Sequence, residues 1–414
     1  MIEQLIAFLN HGIHPIVSEK GSVGASGDLV PLAQIALALM GEGRVRVHGK
    51  EMCAAEALRE AHLKPVKLQA KEGLALINGT QFTTAITLLN WDQSRQLLNM
   101  SHVMTALAVE AERGTTTAFR AEIHEARRHG GQGLSAQILM KLLTEDGSPS
   151  AIGRSHTDCK KVQDPYHLRC APQVLGAVLT TLSQQGNILF DEINAVTDNP
   201  IVTEAGIFSG GNFHAQPIAT AADSIAISLA TAVNLHQAQI AALLTNTKMT
   251  ELPAFLVAHP ERAGIESGMM MLDVAAAALA AEARTLAAPA SVHSLPTAGG
   301  TEDHVSMGPA AARKMGNMVS LLQDTLALGL IVSAQGINLV RRTGDGLKTT
   351  HYLETVLKRI RQGAPFMDGD RSMTDDITFV AALLASGQLT DPFIKHLTPP
   401  PLHTMRSIAE GTLG

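Results

Sequence analysis

The chain has 414 residues, 45% of them hydrophobic and 17% charged, which is enough to bury a large core and too apolar for a disordered chain. Its formal net charge is −6 with no concentrated basic patch, which argues against a nucleic-acid partner. Cys53, Cys159 and Cys170 lack disulfide or zinc spacing, so a reducing cytoplasm is the expected compartment.

In chain order, Met1 is followed by Glu3 rather than a basic stretch, so no secretory signal is expected. Residues 21–32 read Gly-Ser-Val-Gly-Ala-Ser-Gly-Asp-Leu-Val-Pro-Leu, a small-residue loop leading into a helix. Asp28 is the expected N-cap, and Pro31 is tolerated in the first turn. Gly41–Met52 is the clearest hairpin, with Val45 and Val47 alternating with polar neighbours. Asn78-Gly79 is a turn signal. Segments 144–165, 197–216 and 289–305 have loop composition. The first holds His156 and Cys159, which with Cys170 lack a fourth ligand at metal-site spacing, so no metal is expected.

Residues 216–246, 264–288 and 306–341 are expected long helices, rich in Ala and Leu. Leu229, Val233, Ile240 and Leu244 share one helical face. Asp273, Glu282 and Arg284 interrupt one apolar stretch, and Gln323 and Asp324 another, so these read as buried helices rather than membrane spans. The tail from 364 to 414 is richer in Pro and Gly and is expected to form short helices on the bundle.

The chemistry concentrates in Ala25-Ser26-Gly27. The Gly27 nitrogen can attack the Ala25 carbonyl because neither residue has a bulky side chain. Loss of water from Ser26 would then leave an exocyclic methylidene, an electrophile that ordinary side chains do not supply. The competing reading is a flexible loop before a helix. A nucleophile elbow would need Gly where Asp28 stands, and a phosphate loop would need a following Gly-Lys-Ser/Thr.

Residues 14–32, His-Pro-Ile-Val-Ser-Glu-Lys-Gly-Ser-Val-Gly-Ala-Ser-Gly-Asp-Leu-Val-Pro-Leu, resemble the signature of the aromatic amino-acid ammonia-lyases. The likeness continues through Asn78-Gly79-Thr80, the run 162–170 (Val-Gln-Asp-Pro-Tyr-His-Leu-Arg-Cys), Thr197-Asp198-Asn199-Pro200 and the run 209–215 (Ser-Gly-Gly-Asn-Phe-His-Ala). The run 302–308, Glu-Asp-His-Val-Ser-Met-Gly, and Ser267-Gly268-Met269-Met270 resemble the histidine branch most closely. The resemblance covers nearly the whole chain.

It implies a mainly α fold, a single domain over 1–414 built as a long antiparallel helix bundle of the fumarase/aspartase-like type with a small β-hairpin element. It implies that Ala25, Ser26 and Gly27 form a 4-methylideneimidazole-5-one (MIO) prosthetic group, with no metal or diffusible cofactor. The expected reaction is elimination of ammonia from an amino acid, L-histidine giving urocanate. Arg169 would clamp the substrate carboxylate, since a guanidinium fits a carboxylate bidentately. Asn78 would bond both that carboxylate and the MIO region. Gln163 and Tyr166 would line the site, Phe213 would supply an aromatic wall, and Met270 would pack on the imidazole. Glu302 would hold the imidazole or move a proton, and His304 would brace its loop. A homotetramer whose sites draw on several subunits is implied.

The chain also departs from that pattern. It begins inside what looks like a family helix, so the expectation is a chain lacking the usual N-terminal segment, with its loop Tyr base and its ring-binding His. Gly300-Thr301 stands where the histidine branch usually has Asn-Gln, and Gln216 where many members have Glu. These departures leave three readings: a histidine lyase, a lyase or aminomutase for another (aromatic) amino acid, and a non-catalytic chain, either a truncated member or a subunit whose missing half is a separate polypeptide.

Overall fold

The computed structural model describes residues 1–156 and 161–389. It is 61% helix and 6% strand, a mainly α fold. Contacts divide the chain into two compact units. The first comprises Met1–Asn90, Asn187–Asp223 and Pro289–Gly316; the second comprises Trp91–Gly186, Ser224–Ala288 and the chain from Asn317 onward.

The first unit carries a three-stranded antiparallel sheet. Arg44–Val47 pairs with Lys50–Cys53 as the expected hairpin, and Ile13–Pro15 adds to its other edge with Ile13 opposite Val47. The Ile13–Pro15 strand had no sequence signal, because three residues are too few to show a period. Phe8, Ile13, Leu39, Val45, Ala57 and Leu58 close a local core between the sheet and the helices Ile2–Asn10, Leu29–Leu39 and Ala54–Glu60. This core fixes helix Leu29–Leu39, and with it the Ala25-Ser26-Gly27 loop just before its N-terminus. The loop expected over 197–216 contains a short hairpin, Ile201–Thr203 with Gly206–Phe208.

The second unit is built on long helices. Most of Gln81–Ala111, Ala171–Ile193, Gln216–Thr245 and Gly308–Arg341 belongs to it, along with all of Met270–Leu286. Three of these match the helices expected from composition. Leu229, Val233, Ile240 and Leu244 are all fully buried, as their shared face requires. A Cβ on Gly176 would lie 2.4 Å from the Gln132 Cα, so Gly176 lets helices Gly130–Leu143 and Ala171–Ile193 touch backbone to backbone. Gln216–Thr245 and Gly308–Arg341 are long and apolar enough to cross a membrane, yet 67% and 72% of their apolar 18-residue stretches is buried within the chain. That burial is what a core helix shows.

The expected helix over 264–288 starts later, at Met270. The Asp370 carboxylate accepts the amides of Ser267 and Gly268 at 2.8 and 2.9 Å, holding the preceding residues as a turn. In the tail, Thr374–Ala385 forms a short helix. The rest of the expected C-terminal helices, residues 390–414, lies outside the described residues.

Candidate active site

The Ala25-Ser26-Gly27 loop is held by backbone contacts from segments far apart in sequence. Met307 N donates to Val23 O at 2.8 Å, Ala215 N to Gly24 O at 3.3 Å, and Asp28 N to Gly79 O at 2.8 Å. The Ser306 hydroxyl donates to Gly24 O at 2.9 Å. Gly27 has φ +86°, and a Cβ there would lie 2.2 Å from Gly79 N. Only glycine fits both that backbone and that approach.

Asp28 stands at the N-cap position as expected, but its side chain does not cap its own helix. Its fully buried carboxylate accepts from Ser22 Oγ at 2.8 Å, Thr83 N at 2.9 Å and Thr83 Oγ1 at 3.0 Å. Burial holds its pKa above the ordinary carboxylate value, and these three donors only partly oppose that rise. Asp28 therefore ties the loop to the start of helix Gln81–Ala111.

Two of the predicted site residues converge on Ser26. The Ser26 hydroxyl donates to Glu302 Oε1. Asn78 Nδ2 donates to Ser26 O at 2.7 Å. Asn78 is not in a hairpin turn: it is the C-cap of helix Glu72–Ile77, and its Oδ1 is buried without a hydrogen-bond partner. Glu302 is aimed by a small bridge to Thr297, whose Oγ1 donates to Glu302 Oε2 at 2.6 Å. The Ser26 and Thr297 hydroxyls hold the Glu302 carboxyl below the ordinary carboxylate value. The turn before it places Gly300 at φ +87°, a backbone conformation that suits this glycine.

Ser26 and Glu302 line one cavity of about 410 Å³, together with Lys20, Thr297, Met307 and Arg313. Ala25 and Gly27 are buried and Ser26 is half-buried, so the central side chain of the three is the accessible one. Phe213 is half-buried in the segment that reaches the loop through Ala215. His214 and His304 lie ring to ring at 5.6 Å, and a His214 ring nitrogen is 3.2 Å from His304 O. His304 thus touches the neighbouring segment.

Gln163, Tyr166, Arg169 and Met270 belong to the second unit. Tyr166 and Arg169 bound a one-turn helix, with the Arg169 guanidinium 4.5 Å from the Tyr166 ring centroid. Arg169 Nε is buried without a hydrogen-bond partner, and Arg169 has no carboxylate partner among the described residues. Tyr166 is 69% exposed. Gln163 is exposed and lines a separate hollow of about 390 Å³ with Arg113, Thr115, His156 and Asp164. Met270 opens helix Met270–Leu286 and is 37% exposed.

Sequence reasoning missed Thr297, Thr83 and Ser306, which orient the loop and Glu302. A lone Thr or Ser, in a loop or at a helix start, gives no signal of its partner. Among the described residues no three His, Cys, Asp or Glu side chains converge on a metal-sized site, and Cys159 lies outside the described residues.

Residues 1–362 match the family model described as aromatic amino acid lyase. The chain belongs to the aromatic amino acid lyase family. By family it is a carbon–nitrogen lyase. It is 46% identical over 391 residues to the histidine ammonia-lyase of Salmonella arizonae, covering 94% of this chain and 75% of that one. The crystal structure of histidine ammonia-lyase from Trypanosoma cruzi superposes with a TM-score of 0.85 at 35% identity, covering 97% of this chain and 74% of that one. Tyrosine aminomutase from Streptomyces globisporus superposes with a TM-score of 0.86 at 35% identity, covering 94% and 75%. The family's fold therefore carries both lyase and aminomutase members.

Proposed function

We infer that this chain is a histidine ammonia-lyase that converts L-histidine to urocanate and ammonia, with an MIO group formed from Ala25, Ser26 and Gly27. The observation that carries the reading is Ser26 facing a cavity with its hydroxyl on Glu302 and its carbonyl on Asn78, between two buried small neighbours. The MIO group supplies an electrophile that turns the amino group into a better leaving group. The loop suits it: Gly27 has the space and the φ for a tight turn, and helix Leu29–Leu39 directs its N-terminal partial charge at the loop.

The chain's own residues then divide the work. Asn78 Nδ2 holds Ser26 O with one hydrogen, which leaves its second hydrogen for the substrate carboxylate and Oδ1 as an acceptor for the substrate ammonium. Glu302, ionised and aimed by Thr297, accepts a hydrogen bond from the substrate imidazole or takes up a proton. Arg169, which has no carboxylate partner of its own, binds the substrate carboxylate. Tyr166 stacks on that guanidinium and lines the site with Gln163, while Phe213 and Met270 supply apolar walls. A homotetramer in the cytoplasm is the working assembly.

A second reading, a lyase or aminomutase for tyrosine or phenylalanine, is favoured by the tyrosine aminomutase likeness, whose TM-score equals that of the histidine enzyme within 0.01. Glu302 favours histidine over phenylalanine, because a carboxylate has a partner in imidazole and none in a phenyl ring; a tyrosine phenol can also donate to it, so the substrate panel separates those two.

The test is urocanate formation from L-histidine, followed by ultraviolet absorbance, beside a panel of aromatic amino acids and a Ser26→Ala control. Urocanate that disappears with Ser26→Ala supports the reading. Turnover of tyrosine or phenylalanine alone moves the assignment to the second reading. An intact mass two waters below the sequence mass reports ring formation independently of any substrate.

A further inference from the structure

The turn that carries Tyr166 and Arg169 is only four residues long. One helical turn has almost no stability of its own. What fixes it is a buried polar assembly centred on His167, which sits between the two candidate site residues.

His167 Nε2 lies 2.9 and 3.1 Å from the two carboxylate oxygens of Glu112, so one ring nitrogen is shared by both. The side chains are 11% and 2% exposed. Glu112 ends the long helix Gln81–Ala111, with its amide bonded to Ala108 O at 2.9 Å. No other side chain among the described residues bonds the Glu112 carboxylate. The His167 carbonyl is held too: Gln239 Nε2 donates to it at 2.9 Å and to Thr105 Oγ1 at 3.1 Å. Gln239 Oε1 in turn meets His236 Nδ1 at 2.9 Å. At the start of the turn, Asp164 Oδ2 accepts Thr115 N at 2.7 Å. The polar side-chain anchors therefore come from residues 164 and 167, Leu168 adds a buried apolar one, and the Arg169 side chain makes none outside the turn.

We propose that His167 and Glu112 act as a positioning pair that sets the turn, and through it the Arg169 guanidinium, for binding the substrate carboxylate. The proposal rests on the reading of Arg169 given above. Arg169 stacks on Tyr166 and has an unpartnered Nε, so its aim depends on where the backbone of this turn lies. Losing the alignment of such a charge-assisted contact costs roughly 10- to 100-fold in affinity. Replacing His167 alone also strands a buried carboxylate, whereas replacing both members by apolar residues leaves no uncompensated charge.

The experiment measures L-histidine binding by calorimetry to the full chain carrying Ser26→Ala, which cannot form the ring and so binds without turnover. The same background then carries His167→Gln, the pair His167→Leu/Glu112→Leu, Arg169→Lys, or the last two combined. Unfolding temperature is measured throughout. His167→Gln keeps a donor for Glu112 and retains the affinity. The Leu/Leu pair stays folded and binds roughly 10- to 100-fold more weakly. Adding Arg169→Lys to it weakens binding little further, because both changes remove the same contact.

A folded Leu/Leu pair with unchanged affinity, beside a weakened Arg169→Lys, overturns the positioning proposal and leaves the Arg169 reading intact. Losses that multiply in the combined variant overturn it as well, since His167 would then act elsewhere. Unchanged affinity with Arg169→Lys, or absence of L-histidine binding in the Ser26→Ala chain, overturns the Arg169 or substrate reading, and the proposal with it. A purely structural pair would lower the unfolding temperature without moving the affinity.

Discussion

The Ser26 loop and the Arg169 turn are both short connections bearing chemistry on a helical frame, yet they are held in opposite ways. Around Ser26 the reactive atoms themselves are engaged, the hydroxyl on Glu302 and the carbonyl on Asn78. The flanking backbone is clamped by Gly79, Ala215, Ser306 and Met307. At the Arg169 turn the anchors are on the neighbours, His167 and Asp164, while Arg169 Nε is unpartnered and Tyr166 is exposed. On the proposed function the difference has a reason: a loop that performs chemistry on its own backbone needs its atoms fixed in advance, and a turn that grips an incoming anion needs a rigid base and free donors.

The strongest way to break the comparison is at Gly27. Gly27→Ala places a methyl 2.2 Å from Gly79 N on a backbone with φ +86°, so ring closure and urocanate formation should both be lost. Intact mass would then match the unmodified sequence. A chain still two waters light would show that the clamp is looser than its geometry.

Next in size is Glu302→Gln, which keeps the shape and removes the charge. Its kcat should fall by roughly 10²- to 10⁴-fold, the range for a group that handles a proton. A kcat near that of the unsubstituted chain would reduce Glu302 to a partner of the Ser26 hydroxyl. Arg169→Lys should act mainly on KM, raising it about tenfold or more as bidentate geometry is lost. A fall in kcat with unchanged KM would count against a carboxylate clamp.

A smaller effect is expected from Glu110, buried in the second unit. Its carboxyl is pushed up to about 7, chiefly by burial; the Ser150 hydroxyl opposes the shift, nearby Glu354 adds to it and Arg341 opposes it. Because the folded value lies above the unfolded one, the folded chain holds an extra proton between about pH 4.5 and 7. That contribution is present at low pH and lost as pH rises through 7. Glu110→Gln should therefore gain stability relative to the unsubstituted chain on going from pH 5 to pH 8, by up to roughly 3 kcal/mol. Denaturant unfolding at the two pH values reads it, and parallel curves would show that the carboxyl is ionised in the folded chain. The least change is expected from Ser306→Ala, which removes the hydroxyl's bond to Gly24 O at 2.9 Å and the one it accepts from Gly308 N at 3.1 Å, and should cost about 2 kcal/mol. Thermal unfolding measures that cost, while intact mass shows whether the ring still forms.

Much of the frame was legible beforehand. The hairpin within 41–52 follows from alternation, the helix over 216–246 from helical spacing and the helix over 306–341 from its Ala and Leu content, and the structure shows them within a few residues. Local hydrogen bonding sets those periods, so they are written locally. The helix over 264–288 was read too long, because the Asp370 carboxylate that stops it lies 103 residues from Ser267. Asp28 was legible as an N-cap by position, but its carboxylate is used elsewhere, on Thr83, 55 residues away. The strand Ile13–Pro15 was too short to announce itself.

By itself, then, the sequence determined a helical frame, a small-residue tripeptide before a helix, and a set of polar residues in loops. Only the tertiary structure decided which of those polar residues meet. Ser26 finds Asn78 across 52 residues and Glu302 across 276, and His167 finds Glu112 across 55. Periodicity reports what each residue does with its near neighbours through the backbone. Pairings at these separations depend on how the whole chain closes, and no local pattern encodes that.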